Sequence, residues 1–133
     1  MKLITKNTDY AVRALAYLAA HRERFIASDE IAAREKIPAY FLRRVVNTLI
    51  KKGILDSKEG KNGGVRLAAD PCRITVIGLI KTFQGGIQLS DCMVRKNICP
   101  NRSRCLLRKK VLKAERQLSL EIGKIRLSDL IKK

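Results

Sequence analysis

Between Pro38 and Gly53 the apolar residues Leu42, Val45, Val46 and Leu49 recur at i, i+3, i+4 and i+7, so this stretch must be a helix with one buried face. Proline suits the first turn of such a helix, and glycine the position just past its end. The opposite face collects Tyr40, Arg43, Arg44, Asn47 and Lys51. A shorter helix precedes it. Ser28 is expected at its N-cap, Asp29 and Glu30 suit a first turn where negative charge is favoured, and the helix ends near Lys36. Two helices joined by so tight a turn, the second with an apolar back and a basic front, predict a helix-turn-helix.

The residues after Gly53 fit a winged form of that motif. Two short strands are expected at about Ile54 to Lys58 and Val65 to Leu67, joined by Glu59-Gly60-Lys61-Asn62-Gly63-Gly64. Asn62-Gly63 signals a tight hairpin, because both residues accept the positive φ that such turns need. A hairpin directly after a recognition helix is a wing, and Lys58, Lys61 and Arg66 make it basic. Upstream, a first helix is expected from about Thr8 to Ala20, with Ala11, Ala14, Leu15 and Leu18 on one face. Downstream, Thr75 can cap a helix through Phe83 that Gly85-Gly86 stops. A long helix begins near Ser103, where Leu107, Val111, Ala114, Leu118, Ile122 and Ile125 form one stripe flanked by basic residues. So long an apolar stripe, in a chain with little core elsewhere, is expected to find its partner in a second subunit. Ser128 can cap a last short turn.

The expected fold is therefore mainly α, a winged helix-turn-helix with a two-stranded wing and a long C-terminal dimerisation helix. Residues 1–86 form the DNA-binding region, and residues 87–133 the cysteine loop and dimerisation helix, together one structural domain. Twenty-nine Lys and Arg against twelve Asp and Glu leave a net charge of +17. Such an excess opposes folding by self-repulsion unless a polyanion shares the load, and it favours nucleic acid or an acidic surface. The longest apolar stretch, Ala11 to Ala20, is short and contains Arg13, so no membrane role is expected. Lacking an export signal, the chain is expected in the cytoplasm, where thiols stay reduced. Nothing points to an enzyme or a small-molecule substrate: there is no Gly-rich phosphate loop, no Ser–His–Asp set, and His21 is the single histidine.

Cys92, Cys99 and Cys105 are spaced C-x6-C-x5-C across a loop that runs into the long helix. Structural zinc sites use closer pairs, and long uneven spacings suit a bulkier iron–sulfur cluster. On spacing alone a cluster, a zinc ion and reactive thiols all remain open. Arg102, Arg104 and Arg108 would favour the thiolate form. Cys72 stands apart and reads as a small buried hydrophobe.

Several of these segments resemble the Rrf-type family of bacterial winged-helix transcription regulators, with its IscR-like and NsrR-like branches. The matching residues are Leu3-Ile4-Thr5, Thr8-Asp9-Tyr10-Ala11-Val12-Arg13, Ser28-Asp29-Glu30-Ile31-Ala32, Phe41-Leu42, Gly60 to Leu67, Ile74-Thr75-Val76 and the three cysteines. The resemblance implies a homodimer crossed through the long helices, an iron–sulfur cluster (2Fe-2S or 4Fe-4S) and a double-stranded DNA operator. It also implies a fourth, non-cysteine ligand. IscR-like members use a histidine three residues after the last cysteine, where this chain has Arg108, which cannot ligate a metal. NsrR-like members take a carboxylate from the partner subunit's first helix, and the matching residue is Asp9. An acid there is also favoured by the helix dipole, with Arg13 placed to pair with it. A ligand crossing the interface would let cluster loss, to nitric oxide, oxygen or iron shortage, shift the spacing of the two recognition helices. A cluster-free regulator of the same fold, controlled by thiol oxidation or a protein partner, is the alternative.

For DNA, Arg43 and Arg44 are expected in the major groove, with Tyr40 and Asn47 on the same face and Ser28 at the head of the preceding helix. Lys58, Lys61 and Asn62 are expected at the minor groove or its phosphates, Gly63 and Gly64 keeping the turn tight. Glu59 departs from the arginine that many members of the resembled family carry before the wing glycine; an acid there repels phosphate, so minor-groove reading falls to Lys61 or is lost.

Overall fold

The computed structural model describes residues 4–87 and 105–131. Helix α1, Lys6–Ala20, runs through the centre and meets most of the other elements. It starts earlier than Thr8 because the Thr5 hydroxyl caps it, accepting the Thr8 N–H. Ala11, Ala14, Leu15 and Leu18 are fully buried, as their spacing predicts.

Helix α2, Ser28–Glu35, and helix α3, Ala39–Lys51, form the helix-turn-helix. The turn between them is sharp because Lys36 takes the left-handed conformation, φ 56°, that ends α2. Ile37 then drops into the core. The Arg13 guanidinium donates to the Glu35 carbonyl and pins the end of α2 to α1. Ser28 is not the N-cap. Ala27 holds that place, its extended backbone set by the pairing of Ile26 with Val65, and its carbonyl accepts the Glu30 and Ile31 N–H groups. Pro38 sits one position before the first turn of α3, and Gly53, φ +78°, follows its end.

Strands β1, Leu55–Lys58, and β2, Gly64–Leu67, pair antiparallel with Leu55 opposite Leu67 and Lys58 opposite Gly64. The wing is therefore present, but its turn is not the Asn-Gly type. Gly60 and Gly64 carry the positive φ values, and the Gly63 N–H donates to the Gly60 carbonyl across Lys61-Asn62. Gly63 matters for another reason: a Cβ there would lie 2.1 Å from the Lys58 carbonyl oxygen. Gly64 is doubly constrained, with φ +144° and a Cβ position 2.3 Å from the Ile26 backbone. That close approach is what lets Ile26 bond Val65 in both directions and fasten the wing to the helical body.

A short 3-10 turn, Pro71–Arg73, leads to α4, Val76–Gln84, capped by the Thr75 hydroxyl and ended by Gly85 at φ 79°. Helix α5, Leu106–Gly123, follows the undescribed segment, so its expected start at Ser103 lies outside the described residues. Among the described residues its apolar stripe joins a core at the far end, where Ile122 and Leu118 pack with Val76, Ile80 and Ile87. Ile125 lies past the helix, and its carbonyl accepts the Val76 N–H. The last 3-10 turn, Leu127–Leu130, is capped by Arg126 with Asp129 rather than by Ser128, and Leu127 closes the main core.

Candidate nucleic-acid interface and cysteine site

The face of α3 opposite its buried residues presents Tyr40, Arg43, Arg44, Asn47 and Lys51, all exposed, as the spacing requires. The Tyr40 ring packs on Phe41 with centroids 4.2 Å apart, which limits how the phenol swings. Arg43 is held from the neighbouring helix: its Nη2 donates to Asp29 Oδ1 at 3.1 Å. Arg44 borders a small cleft of about 150 Å³ with Asn7, Phe41, Val45, Thr48 and Phe83. Ser28, half-buried in the first turn of α2, makes no capping bond.

On the wing, Lys58, Lys61 and Asn62 are exposed. The base of the wing is fixed by Phe25, whose ring lies 4.4 Å from the Arg66 guanidinium carbon and 5.8 Å from the Lys58 ammonium. Glu59 is exposed beside them. Before α2, the Arg24 guanidinium donates to Glu30 at 2.8 Å and the Tyr17 hydroxyl at 3.1 Å. The Arg24 bond, with the Tyr17 bond behind it, holds the Glu30 carboxyl below its ordinary range, and desolvation together with Glu30 raises the Tyr17 phenol. These two contacts fix the loop that leads into the reading helices.

Of the three loop cysteines, Cys92 and Cys99 lie outside the described residues. Cys105 is unpaired and half-buried at the N-cap of α5, where its Sγ accepts the Arg108 N–H at 3.4 Å. Asp9 sits in the first turn of α1, half-exposed, 3.5 Å from Arg13. One residue earlier, Thr8 Oγ1 donates to Gln84 Oε1 at 2.9 Å, and the Thr5 N–H donates to the same oxygen at 3.0 Å. The start of α1 is thus tied to the last residue of α4, from which the cysteine loop departs. Among the described residues no group of three His, Cys, Asp or Glu side chains is gathered to hold a metal.

Beside the Ser28 and Ser128 caps, two more expectations are corrected by the structure. Cys72 is exposed rather than buried, because the Asp70 carboxylate caps its N–H and turns the short 3-10 segment outward. Asn62 does not supply the positive φ of the wing turn. His21 caps the end of α1, stacked on Tyr17 with its Nδ1 2.9 Å from the Tyr17 carbonyl oxygen. Sequence reasoning passed over Phe25 and Gln84 and gave Asp29 only a dipole role. The partners of all three lie far along the chain or across a turn, so spacing alone carries no signal for them.

Comparison with known proteins supplies the family. The model of the Rrf2 family, described as an iron-dependent transcriptional regulator, matches residues 4–133. The chain is 30% identical over 134 residues to the HTH-type transcriptional regulator NsrR of Bacillus subtilis, covering 99% of this chain and 91% of that protein. Among solved structures, the IscR of T. potens superposes with a TM-score of 0.71 at 25% identity, covering 98% of this chain and 85% of that one. The B. subtilis global cysteine regulator CymR has a similar fold, with a TM-score of 0.74 at 23% identity over 98% of this chain and 96% of that one. These relatives are transcriptional regulators rather than enzymes. With the helix-turn-helix, the glycine wing and the long C-terminal helix all in place, the chain belongs to the Rrf2 family of winged-helix transcriptional regulators.

Proposed function

We propose that the protein is a homodimeric, cytoplasmic regulator that binds a double-stranded DNA operator and holds an iron–sulfur cluster through Cys92, Cys99 and Cys105, with Asp9 of the partner subunit as the fourth ligand. The observation that carries the DNA half is the exposed face of α3, where Tyr40, Arg43, Arg44 and Asn47 stand at helical spacing beside a basic wing. Guanidinium groups bind guanine O6 and N7 bidentately, which gives Arg43 and Arg44 the base contacts. Tyr40, Asn47 and Ser28 lie within the same two helices. Lys58, Lys61 and Asn62 reach phosphate or the minor groove, and Gly63 and Gly64 let the wing fold tightly enough to do so.

The cluster half rests on the donor set. Three thiols and a carboxylate are chemically suited to such a group, and the half-buried Cys105 stands at a helix N-terminus with its Sγ accepting the Arg108 N–H. Bound there, the cluster supplies the reactivity toward nitric oxide, oxygen or iron shortage that makes a sensor. The protein's own part is mechanical. Asp9, paired with Arg13 here, would be the residue that holds the group, and α1, which packs against α3, would carry any change in its position to that helix. The Thr5–Thr8–Gln84 bonds keep the start of α1 and the stem of the cysteine loop moving together.

A cluster-free regulator controlled by thiol oxidation is the competing reading, favoured by the unpaired thiols of Cys72 and Cys105. One preparation separates the two. The full chain purified anaerobically should be coloured, with iron and sulfide counted by native mass spectrometry giving the nuclearity. Cys92→Ser, Cys99→Ser or Cys105→Ser should each bleach it. Asp9→Ala should alter both the spectrum and the effect of the cluster on DNA affinity. A colourless, iron-free protein whose DNA affinity follows thiol oxidation instead would establish the competitor.

A further inference from the structure

We propose that Asp29 is a specificity-determining positioning residue: it orients Arg43 for base reading, and this role rests on the DNA-binding reading of α3. Asp29 lies in the first turn of α2, and Arg43 one turn into α3, so the pair spans the two helices of the motif. Nη2 of Arg43 lies 3.1 Å from Oδ1 of Asp29, with side chains 59% and 69% exposed.

An ion pair this exposed adds little to folding, because water screens it and two flexible side chains lose freedom to make it. Its consequence is geometric. A guanidinium is a rigid planar fork of five N–H donors, so fixing one edge fixes the plane of the rest. The Asp29 bond uses one donor and leaves enough others for a bidentate contact with guanine O6 and N7. Arg43 therefore meets DNA with part of its rotamer freedom already removed, which favours the one geometry that reads a base over the many that touch phosphate.

The placement of charge agrees. Of the two acids in the first turn of α2, Glu30 is already occupied by Arg24 and Tyr17. Asp29 bonds the reading helix. A bare carboxylate on a phosphate-binding face would repel DNA, and pairing with Arg43 offsets that repulsion while cancelling Arg43 as a non-specific phosphate anchor. The chain thus gives up some general affinity at this point in exchange for base selectivity. Arg44, one residue on, has no such buttress among the described residues' ion pairs, so the two neighbouring arginines differ in what they contribute.

The test is selection of binding sites from a randomised duplex pool by the full chain, purified anaerobically, and by Asp29→Ala, Asp29→Asn, Arg43→Ala and Arg43→Lys. The wild type should enrich a guanine in each half-site that Arg43→Ala and Arg43→Lys no longer enrich. Asp29→Ala should lose about 10-fold in preference for that same base pair. Asp29→Asn, which keeps the accepting oxygen without the charge, should restore most of it. Asp29→Ala in the Arg43→Ala background should change nothing further. Far-ultraviolet dichroism and a thermal melt establish that each variant is folded. The proposal is overturned if Asp29→Ala tightens binding equally to all duplexes while leaving the selected motif intact, for then the carboxylate merely repels phosphate. It is also overturned if Arg43→Ala selects the wild-type motif. A wild-type chain that enriches no sequence at all would instead bring down the DNA-binding reading, and the proposal with it.

Discussion

Helices α1 and α5 are both amphipathic, yet they end in opposite states. The inner face of α1, from Ala11 through Leu15 to Leu18, is sealed within the chain. On α5, Leu106 and Leu107 are each 71% exposed and Leu120 70% exposed, and only Ile122 is buried. The difference lies in what surrounds them. Helices α2, α3 and α4, strand β2 and the last 3-10 turn all converge on α1, whereas among the described residues α5 packs chiefly where its last turns reach α4. Fully covering a leucine is worth roughly 1.5–3 kcal/mol, so α5 leaves a large stabilisation unclaimed in a single chain. Among the described residues, the helices around α1 thus bury their apolar faces on one another, while α5 keeps exposed leucines. That contrast is what the proposed homodimer would resolve.

The sharpest way to break the contrast is to truncate leucines on each helix. Leu15→Ala should cost about 2–5 kcal/mol in urea unfolding, independently of protein concentration. Leu107→Ala with Leu120→Ala should act through association, lowering the oligomer population in sedimentation and destabilising more at low concentration than at high. Equal, concentration-independent losses from both would erase the distinction between the two regions.

The wing offers the next largest effect. Gly64→Ala must strain φ and push against the Ile26 backbone, at a cost of about 3 kcal/mol or more, and it should loosen DNA binding as the wing detaches. Gly60→Ala meets open space and strains φ alone, so its cost in the same melt should be nearer to about 1 kcal/mol. If the two variants melt alike, the anchoring of the wing to Ile26 is not what holds it.

Capping gives a smaller and more local comparison. Thr75→Ala removes the bond to the Gly78 N–H and should cost about 1 kcal/mol. Ser28→Ala, at a residue that caps nothing, should stay within about 0.5 kcal/mol by the same measurement. On the functional side, Lys58→Ala and Lys61→Ala should each lower the slope of log affinity against log salt by about 1, without altering the preferred sequence. A flat salt response in the wild type would contradict a DNA role for the wing.

The smallest effect is titration of Glu30. Its carboxyl is lowered chiefly by Arg24, so the stability it contributes is full above the ordinary carboxylate range and is lost as pH falls through the lowered value. Glu30→Gln should therefore flatten the acid limb of the stability curve slightly and leave the shape of the neutral region unchanged. A curve unchanged at every pH would mean the Arg24 contact carries no linkage.

How much of this was legible in the sequence depends on how far apart the interacting groups lie. The burial of Leu42, Val45, Val46 and Leu49 and the caps at Thr75 and Gly85 follow from spacing within one element, and the structure has them as the pattern requires. The wing was legible as a hairpin because its strands alternate and its loop is glycine-rich. Its turn chemistry was not, because Gly64 owes its conformation to Ile26, on the far side of the helix-turn-helix. The same reason hid the Ala27 cap, which depends on that pairing. The exposure of Cys72 is a local matter, since Asp70 two residues earlier caps its N–H, a turn not weighed in the expectation that Cys72 is buried.

For the candidate site, the exposed basic face of α3 was readable from an i, i+3, i+4 register, while of the three loop cysteines only Cys105 lies among the described residues. The sequence by itself determined the amphipathic helices and which of their residues face outward, because each depends on neighbours within one or two turns. Only the tertiary structure decided which arginine is held by Asp29, which cations stack on Phe25 and that Gln84 joins the first helix to the stem of the cysteine loop. Those contacts join groups on separate elements, and a side chain's partner there is fixed by how the elements pack, which no local pattern encodes.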